Sequence, residues 1–177
     1  MGSTLTVDNI VGATAAANVK LPAGSILQTV TAETGGYVTH NTSTFADTGL
    51  SCSITPKYAS SHILVVVSCQ ASQSGANGQE TACRVLRVGD SAMIGAEGQR
   101  FVYGRIEDGS SNMHTGGMQT LIRKDTSHNS TSSQTYKFQH RIISGGGVVR
   151  NNDFSTGSAP TQSTMMLMEI SQLVLYS

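Results

Sequence analysis

The chain has 177 residues, a usual size for one folded domain and enough to bury a hydrophobic core. Eleven basic and eleven acidic side chains give a net charge of zero, which excludes the basic surface expected of a nucleic-acid-binding protein. Only 12% of the residues are charged while 38% are hydrophobic, and the hydrophobic ones recur in short runs, so the composition is typical of many short strands rather than of disorder.

No apolar run is long enough for a membrane span, and the first twenty residues lack the basic and apolar regions of a secretory signal. We therefore expect neither a membrane partner nor secretion. Three cysteines, an odd number, argue against a complete disulfide framework. We expect Cys52, Cys69 and Cys83 to pack as small buried apolar groups, although the sequence leaves open whether one pair closes in an oxidising medium.

Residues 1–20 have no sustained apolar stripe, and we predict an extended N-terminal arm that contacts assembly partners. Its candidate contact residues are the apolar Leu5, Val7, Ile10 and Val11.

From residue 21 onward, alternating apolar and polar residues predict strands. In chain order these are residues 25–31, 51–55, 62–71, 81–88, 93–94, 100–103, 118–123, 134–143 and 164–175. Residues 89–117 are rich in Gly, Ser, Asn and charge, which predicts the most exposed loops there. Residues 62–71 (HILVVVSCQA) are apolar on both faces and predict a strand in the middle of the core rather than at an edge.

Two predicted strands have informative faces. In the segment 134–143 one face carries Tyr136, Phe138, His140 and Ile142, and the other carries Thr135, Lys137, Gln139 and Arg141. In the last segment Met166 and Met168 make the second face apolar as well as the first. Either that second face packs on another subunit, which makes Met166 and Met168 candidate contacts, or the strand is the innermost of the monomer's own core.

No segment has the spacing of an amphipathic helix over three turns. We therefore predict an all-β fold, a jelly-roll-like antiparallel β-sandwich formed by residues 21–177 as a single domain after the arm at 1–20.

Residues for catalysis or metal binding are present without the spacing that such sites need. None of the five histidines stands in HxH or HExxH spacing, and there is no CxxC pair. We interpret His140 as a packed or hydrogen-bonded histidine on the face of Tyr136 and Phe138. His114 and His128 flank the strand at Met118 and could meet at a loop end, where a third ligand would be needed to hold a metal ion. There is no GxSxG motif and the carboxylates are scattered, so we predict no catalytic residue, no cofactor and no metal.

Four segments of the chain resemble β-rich structural proteins of bacteriophage virions, especially those of cyanophages. They are STLTVDNIVGATAAANVKLPAGSILQTV, FADTGLSCSITPKYASSHILVVVSC, TYKFQHRI and STMMLMEI, and the block ITPKYASSHILV is the most specific of them. The resemblance extends from about Ser3 to Ile170.

The resemblance implies a virion component without enzymatic activity, forming a homotrimer. A compact domain with a short arm fits a capsid decoration (cement) protein that binds the major capsid protein or another virion protein and stabilises the phage head. The alternative is a tail-fibre or tail-associated module that binds a receptor or glycan, with Tyr103, His114 and the surrounding loops as its site. A third possibility is an enzyme such as a depolymerase, which would need a tight cluster of carboxylates in a groove.

Overall fold

The computed structural model describes residues 21–75, 80–101, 113–145, 147–152 and 162–172. These ranges hold ten strands, and none of the described residues is helical. The strands are β1 (Ile26–Thr34), β2 (Val38–His40), β3 (Ala46–Ile54), β4 (His62–Gly75), β5 (Glu80–Arg87), β6 (Ala92–Phe101), β7 (Met113–Asp125), β8 (Gln134–Ser144), β9 (Val148–Asn151) and β10 (Ser163–Ile170). The predicted all-β fold is confirmed.

The strands form two antiparallel sheets that pack as a β-sandwich. The first, sheet I, is built around β4. One edge of β4 pairs with β7. The other edge pairs first with β10, over residues 62–68, and then with β9, over residues 71–74. The outermost strands of sheet I, β1 and β2, pair with β10 and β9 respectively. In the second, sheet II, the order is β3-β8-β5-β6. Sheet I therefore contains six strands and sheet II contains four.

The hydrophobic core lies between the inward faces of the two sheets, because side chains alternate between the core and the outside along the strands. Sheet I contributes Ile63, Val65, Val67, Met165 and Leu167, and sheet II contributes Leu50, Cys52, Ile54, Val85, Tyr136 and Phe138. The two faces predicted for residues 134–143 are confirmed, since Tyr136 and Phe138 are buried while Lys137 and Arg141 lie on the outside.

The three cysteines are free thiols inside this core. Burial raises the pKa of Cys69 to about 12, and it raises the pKa of Cys52 and of Cys83 as well. All three thiols are therefore protonated at neutral pH and serve as small apolar groups, as the sequence predicts.

Residues 62–71 lie away from the sheet edge, as predicted, but their two faces do not both enter the core. Ile63 and Val65 are fully buried, whereas Leu64 and Val66 lie on the outer face of sheet I and are only half-buried. The prediction that this strand belongs in the middle of the core is wrong for its second face, because sheet II packs against one side of sheet I alone.

The prediction of loops over residues 89–117 is wrong where β6 and the first part of β7 occupy that range. Each is an edge strand with one pairing partner, β5 for β6 and β4 for β7. A neighbouring strand can hold such a segment in a sheet through backbone hydrogen bonds even where the local apolar alternation is weak. The short strands β2 and β9 were not predicted, since three or four residues are too few to form a periodic pattern.

A buried ion pair joins the two sheets near one end of the core. Arg87 on β5 donates a hydrogen bond to Asp125 at the end of β7, and both side chains are almost fully buried. The hydroxyl of Tyr136 donates to the same carboxylate at 2.7 Å, and the backbone N–H of Ser127 donates at 2.9 Å. Arg87 also bonds the carboxylate of Asp90, which is largely exposed to water.

Candidate assembly surface

Met166 and Met168, the candidate contacts of the last strand, lie on the outer face of sheet I. Along β10, Met165 and Leu167 are fully buried, while Met166 and Met168 alternate with them and are half-buried. The interpretation of β10 as an innermost strand with both faces in the monomer's own core is therefore wrong. The interpretation that its second face packs on another subunit stays open to test.

The two methionines belong to a contiguous apolar surface that covers parts of β10, β4 and β7 and reaches β1 at Ile26. Strand register aligns its members in neighbouring rows. We name this surface the apolar face, and its members are Ile26, Leu64, Val66, Ile122, Met166, Met168 and Ile170. Ile26 and Ile122 are each 55% exposed, which leaves large aliphatic side chains in contact with water. An exposed sheet face usually carries polar residues, so this surface is suited to binding.

Polar side chains border the apolar face. The row beyond Met166 consists of Glu33, Thr164, Ser68 and Thr120. Glu33 on β1 and Lys124 on β7 are exposed and stand at diagonally opposite corners of the surface. His62 stands beside Ile170 in the first row. Burial, and after it the positive charge of Lys124, lowers the pKa of His62, so this ring is neutral at pH 7 and adds no charge to the border.

The outer face of sheet II is charged and polar, in contrast to sheet I. Asp47 on β3 accepts hydrogen bonds from Lys137 and from Gln139, each at 2.6 Å, and Arg84 donates to Gln139 at 2.7 Å. The hydrogen bond from Lys137 is the main cause that lowers the pKa of Asp47. Such a face is well solvated. The outer face of sheet I differs from it, because that face carries mostly apolar side chains.

Two guanidinium groups on the outside of sheet II cover one aromatic ring. Arg84 lies 4.2 Å and Arg141 lies 4.6 Å from the centre of the Phe45 ring. Cation–π contacts of this kind hold the ring and both cations against the sheet. The Phe45 ring is therefore occupied by the protein's own side chains.

A small pocket of about 160 Å³ opens on the same side of sheet II, lined by Asp47, Gly49, Ser51 and Lys137. It lies where the register of β3 against β8 shifts, at Gly49, whose positive φ of 81° favours glycine. The pocket is smaller than the roughly 300–1,000 Å³ of most small-molecule sites. Its carboxylate and its ammonium group already pair with each other.

One buried cluster contains a serine, a histidine and a carboxylate, but in an order that does not suit nucleophilic catalysis. The Ser61 hydroxyl has two acceptors at 2.7 Å, the Glu169 carboxylate and the Tyr58 carbonyl oxygen, so its proton is directed at oxygen atoms rather than at a histidine base. His128 is 2.7 Å from the Ser61 carbonyl oxygen and 3.5 Å from the hydroxyl. All three side chains are buried, so no substrate can reach the hydroxyl.

Glu169 holds the connection between β3 and β4 in place. Its carboxylate accepts hydrogen bonds from the backbone N–H groups of Lys57 and Tyr58 at 2.8 and 3.1 Å, and from the Gln28 side chain at 2.7 Å. Burial by itself raises the pKa of Glu169, but the hydrogen bonds from Lys57, Ser61, Gln28 and Tyr58 outweigh it and bring the pKa below its usual value. The role of this cluster is structural.

His114 and His128, which could have met at a loop end, lie far apart. His114 lies at the start of the thirteen-residue strand β7 and His128 lies just beyond its end. An extended strand of that length separates them by about 40 Å. Both ring nitrogens of His128 already have partners, Ser61 and Ser130, and no group of three metal-ligating side chains occurs in the described ranges.

Several predicted contact residues lie outside the part of the chain that the structure describes. These are Leu5, Val7, Ile10 and Val11 of the arm, and Tyr103 of the alternative receptor site.

No family model matches the chain, and no curated protein matches its sequence. Among the described residues there is also no helix long and apolar enough to cross a membrane.

The buried ring of His140 predicts a stability change in mild acid. His140 is 3% exposed, its Nε2 has no hydrogen-bond partner among the described residues, and its ring lies 4.7 Å from that of His40. Burial, and after it the positive charge of His40, lowers the pKa of His140 to about 3. The unfolded chain therefore binds a proton below about pH 6.5 that the folded chain does not bind until about pH 3.

We expect the free energy of unfolding to fall by up to about 1.4 kcal/mol per pH unit between pH 6.5 and 4.5 on account of this group. Urea unfolding at several pH values measures the slope, and His140→Leu should reduce it. His62→Gln serves as the histidine control and should change the slope less, because His62 is half exposed to water. An unchanged slope in His140→Leu would contradict the prediction.

Proposed function

We propose that this chain is a non-enzymatic structural protein of a phage virion, a trimeric capsid decoration protein that binds the head. The observation that carries the proposal is the apolar face on the outside of sheet I, opposite a charged outer face on sheet II. A protein that works alone in water gains nothing from such a surface, whereas a subunit of an assembly buries it. The near-neutral charge of the chain also does little to keep copies apart.

The strand pairing supports a jelly-roll arrangement for this subunit. Pairs are nested along the chain: β1 and β2 with β10 and β9, β3 with β8, β4 with β7, and β5 with β6. A long antiparallel ribbon that is folded over on itself gives this nesting and leaves two facing sheets. Jelly rolls of this kind occur in viral capsid and lectin domains.

The segments that resemble virion proteins are also the ones that Glu169 joins. The block ITPKYASSHILV contains Lys57, Tyr58 and Ser61, and the block STMMLMEI contains Glu169 itself. These contacts fix the end of β3, the start of β4 and β10 relative to one another. The two blocks that carry the resemblance thus meet in one structural unit around Glu169, which supports the proposal of a virion-type fold.

The receptor- or glycan-binding alternative has less support from the described residues. The pocket on sheet II is small and its charged groups are paired, while Phe45 is covered by two arginines. A tail-associated module of this kind would be favoured if the isolated protein bound host cells or glycans and did not bind phage heads.

Removing residues 1–20 tests the assignment of the arm to capsid binding. The truncated protein should remain a soluble trimer and should lose binding to undecorated phage heads, because the arm is proposed to lie across capsid subunits. Cosedimentation with purified heads measures binding, and light scattering after size-exclusion chromatography measures the oligomeric state.

A full-length variant with Leu5→Ser, Val7→Ser, Ile10→Ser and Val11→Ser should show the same loss of head binding. Its control carries Thr4→Ser and Thr6→Ser in the same segment and should bind normally. If the truncated trimer still decorates heads, the role of the arm is wrong, and if the full-length chain binds no part of the virion, the proposed function is wrong.

A further inference from the structure

We infer that the apolar face of sheet I is the contact between copies of this chain, packed so that Lys124 of one copy meets Glu33 of the next. The inference rests on the proposed role as an assembly subunit and names the partner at that surface. The partner is a second copy of the chain.

The size of the apolar face suits the centre of such a contact. It spans three strands about 4.8 Å apart, with Ile26 of β1 at its margin, and three side-chain rows about 7 Å apart, or roughly 300 Å². The largest apolar patch on a typical monomer covers about 300–600 Å² and often has a function. A stable interface buries about 800 Å² on each partner, so the bordering polar rows must join the contact and form its rim.

The row arrangement gives an apolar centre with a polar rim. Val66 and Met166 stand opposite each other on adjacent central strands, with Ile122 beside Val66 on β7. Threonine and serine follow in the next row. An interface needs this order, because side chains at its centre lose all contact with water while those at its rim keep some.

Charge favours a second copy over an unrelated partner. Glu33 and Lys124 are opposite in sign and stand at opposite corners of one surface, and neither forms an ion pair within the described residues. In a closed ring of three copies, the β7 side of one surface, which carries Lys124, meets the β1 side of the next, which carries Glu33, so each copy supplies both halves of the contact. Repetition of the same pair at each contact is what closed symmetric assemblies require.

The alternative outer surface does not suit a contact between copies. Sheet II presents Asp47, Lys137, Gln139 and two arginines, whose charges would have to lose water on association. Desolvating paired charges brings little or no gain in affinity. Of the two outer sheet surfaces, the apolar face is therefore the one whose burial contributes most to the free energy of association.

A charge placed in the apolar face tests the contact on purified protein, without phage heads. Ile122→Glu should weaken association by about tenfold to a hundredfold, measured as the concentration dependence of mass by analytical ultracentrifugation. Val88→Glu is the matched control, because Val88 is an exposed apolar residue of the chain outside the apolar face, and it should leave association unchanged. Circular dichroism checks that both variants fold.

A charge exchange tests the orientation. Lys124→Glu and Glu33→Lys should each weaken association, because each brings like charges together, and the double variant should recover most of the wild-type affinity. These single changes lie on exposed positions and should leave the fold intact.

The inference is wrong if the wild-type chain is monomeric at high micromolar concentration, if Ile122→Glu associates like the wild type, or if the double exchange is weaker than both single variants. Failure here differs from failure of the proposed function. A chain that assembles through the apolar face but binds no virion component refutes the role in the virion alone. A monomer that decorates heads refutes the contact and the trimer but leaves the role in the virion standing.

Discussion

Replacing Glu169 by glutamine is expected to lower the free energy of unfolding by about 3–5 kcal/mol, because several buried donors lose a charged acceptor at once. The carboxylate is fully buried and accepts hydrogen bonds from Lys57, Tyr58, Ser61 and Gln28. The amide oxygen of glutamine can keep the contacts that Oε1 makes with Lys57, Tyr58 and Ser61, but these donors then bond a neutral acceptor, and the N–H₂ group replaces Oε2 and faces the N–H₂ donor of Gln28. Urea unfolding followed by circular dichroism measures the loss.

The acid response of Glu169→Gln provides a second measurement. The pKa of Glu169 is lowered in the folded state, so its contribution is present above about pH 4.5 and is lost as the pH falls through the folded value. The variant should therefore lose less stability than the wild type below pH 4.5. Gln28→Ala removes a single hydrogen bond to the same carboxylate and should cost only about 1 kcal/mol. Equal losses in the two variants would contradict the central role of Glu169.

Replacing Arg87 by methionine is expected to destabilise the fold by about 3–5 kcal/mol, because Asp125 would remain buried without its cation. The Arg87 and Asp125 side chains are 4% and 1% exposed. Burial alone raises the pKa of Asp125, yet the hydrogen bonds from Ser127, Tyr136 and Arg87 keep it below its usual value. Guanidinium chloride unfolding near neutral pH, where Asp125 is charged, measures the change.

Two further variants test whether the loss of stability comes from leaving the Asp125 carboxylate buried without a cation. Asp90→Asn removes the other carboxylate that bonds Arg87, and it should change stability much less because the Asp90 side chain is 54% exposed. The combination of Arg87→Met, Asp125→Leu and Tyr136→Phe replaces the whole polar cluster by apolar groups and should be more stable than Arg87→Met alone. A triple variant less stable than the single one would mean that the methionine itself, rather than the unpaired carboxylate, causes the loss.

Local periodicity was enough to predict the strands that have one polar and one apolar face. In β8 the alternation of Tyr136 and Phe138 with Lys137 and Arg141 assigns every side chain to the correct face. In β10 the same alternation separates Met165 from Met166, although both residues are apolar. Whether an apolar second face is covered within the chain depends on the position of the other sheet, which no local pattern contains.

The buried polar clusters depend on contacts that are remote in sequence. Glu169 meets Lys57 from 112 residues away and Arg87 meets Asp125 from 38 residues away. The sequence nevertheless held a weaker sign of these clusters. Glu169 continues the inward-facing positions Met165 and Leu167 on β10, and Arg87 continues the inward-facing positions Cys83 and Val85 on β5. An ionisable residue at an inward position predicts a buried partner without naming it. For Ile122 of the apolar face, only the register of β7 against β4 reveals its neighbours.

The pairing of β1 with β10 has a consequence for the order of events during synthesis. The chain passes through eight other strands between them, and Ile26 lies opposite Ile170. Contacts so distant in sequence form slowly, and β1 must wait for β10 to leave the ribosome. The central row of the apolar face, with Met166 between Thr31 and Val66, does not exist until then. The proposed contact between copies therefore cannot form before the last described strand is in place.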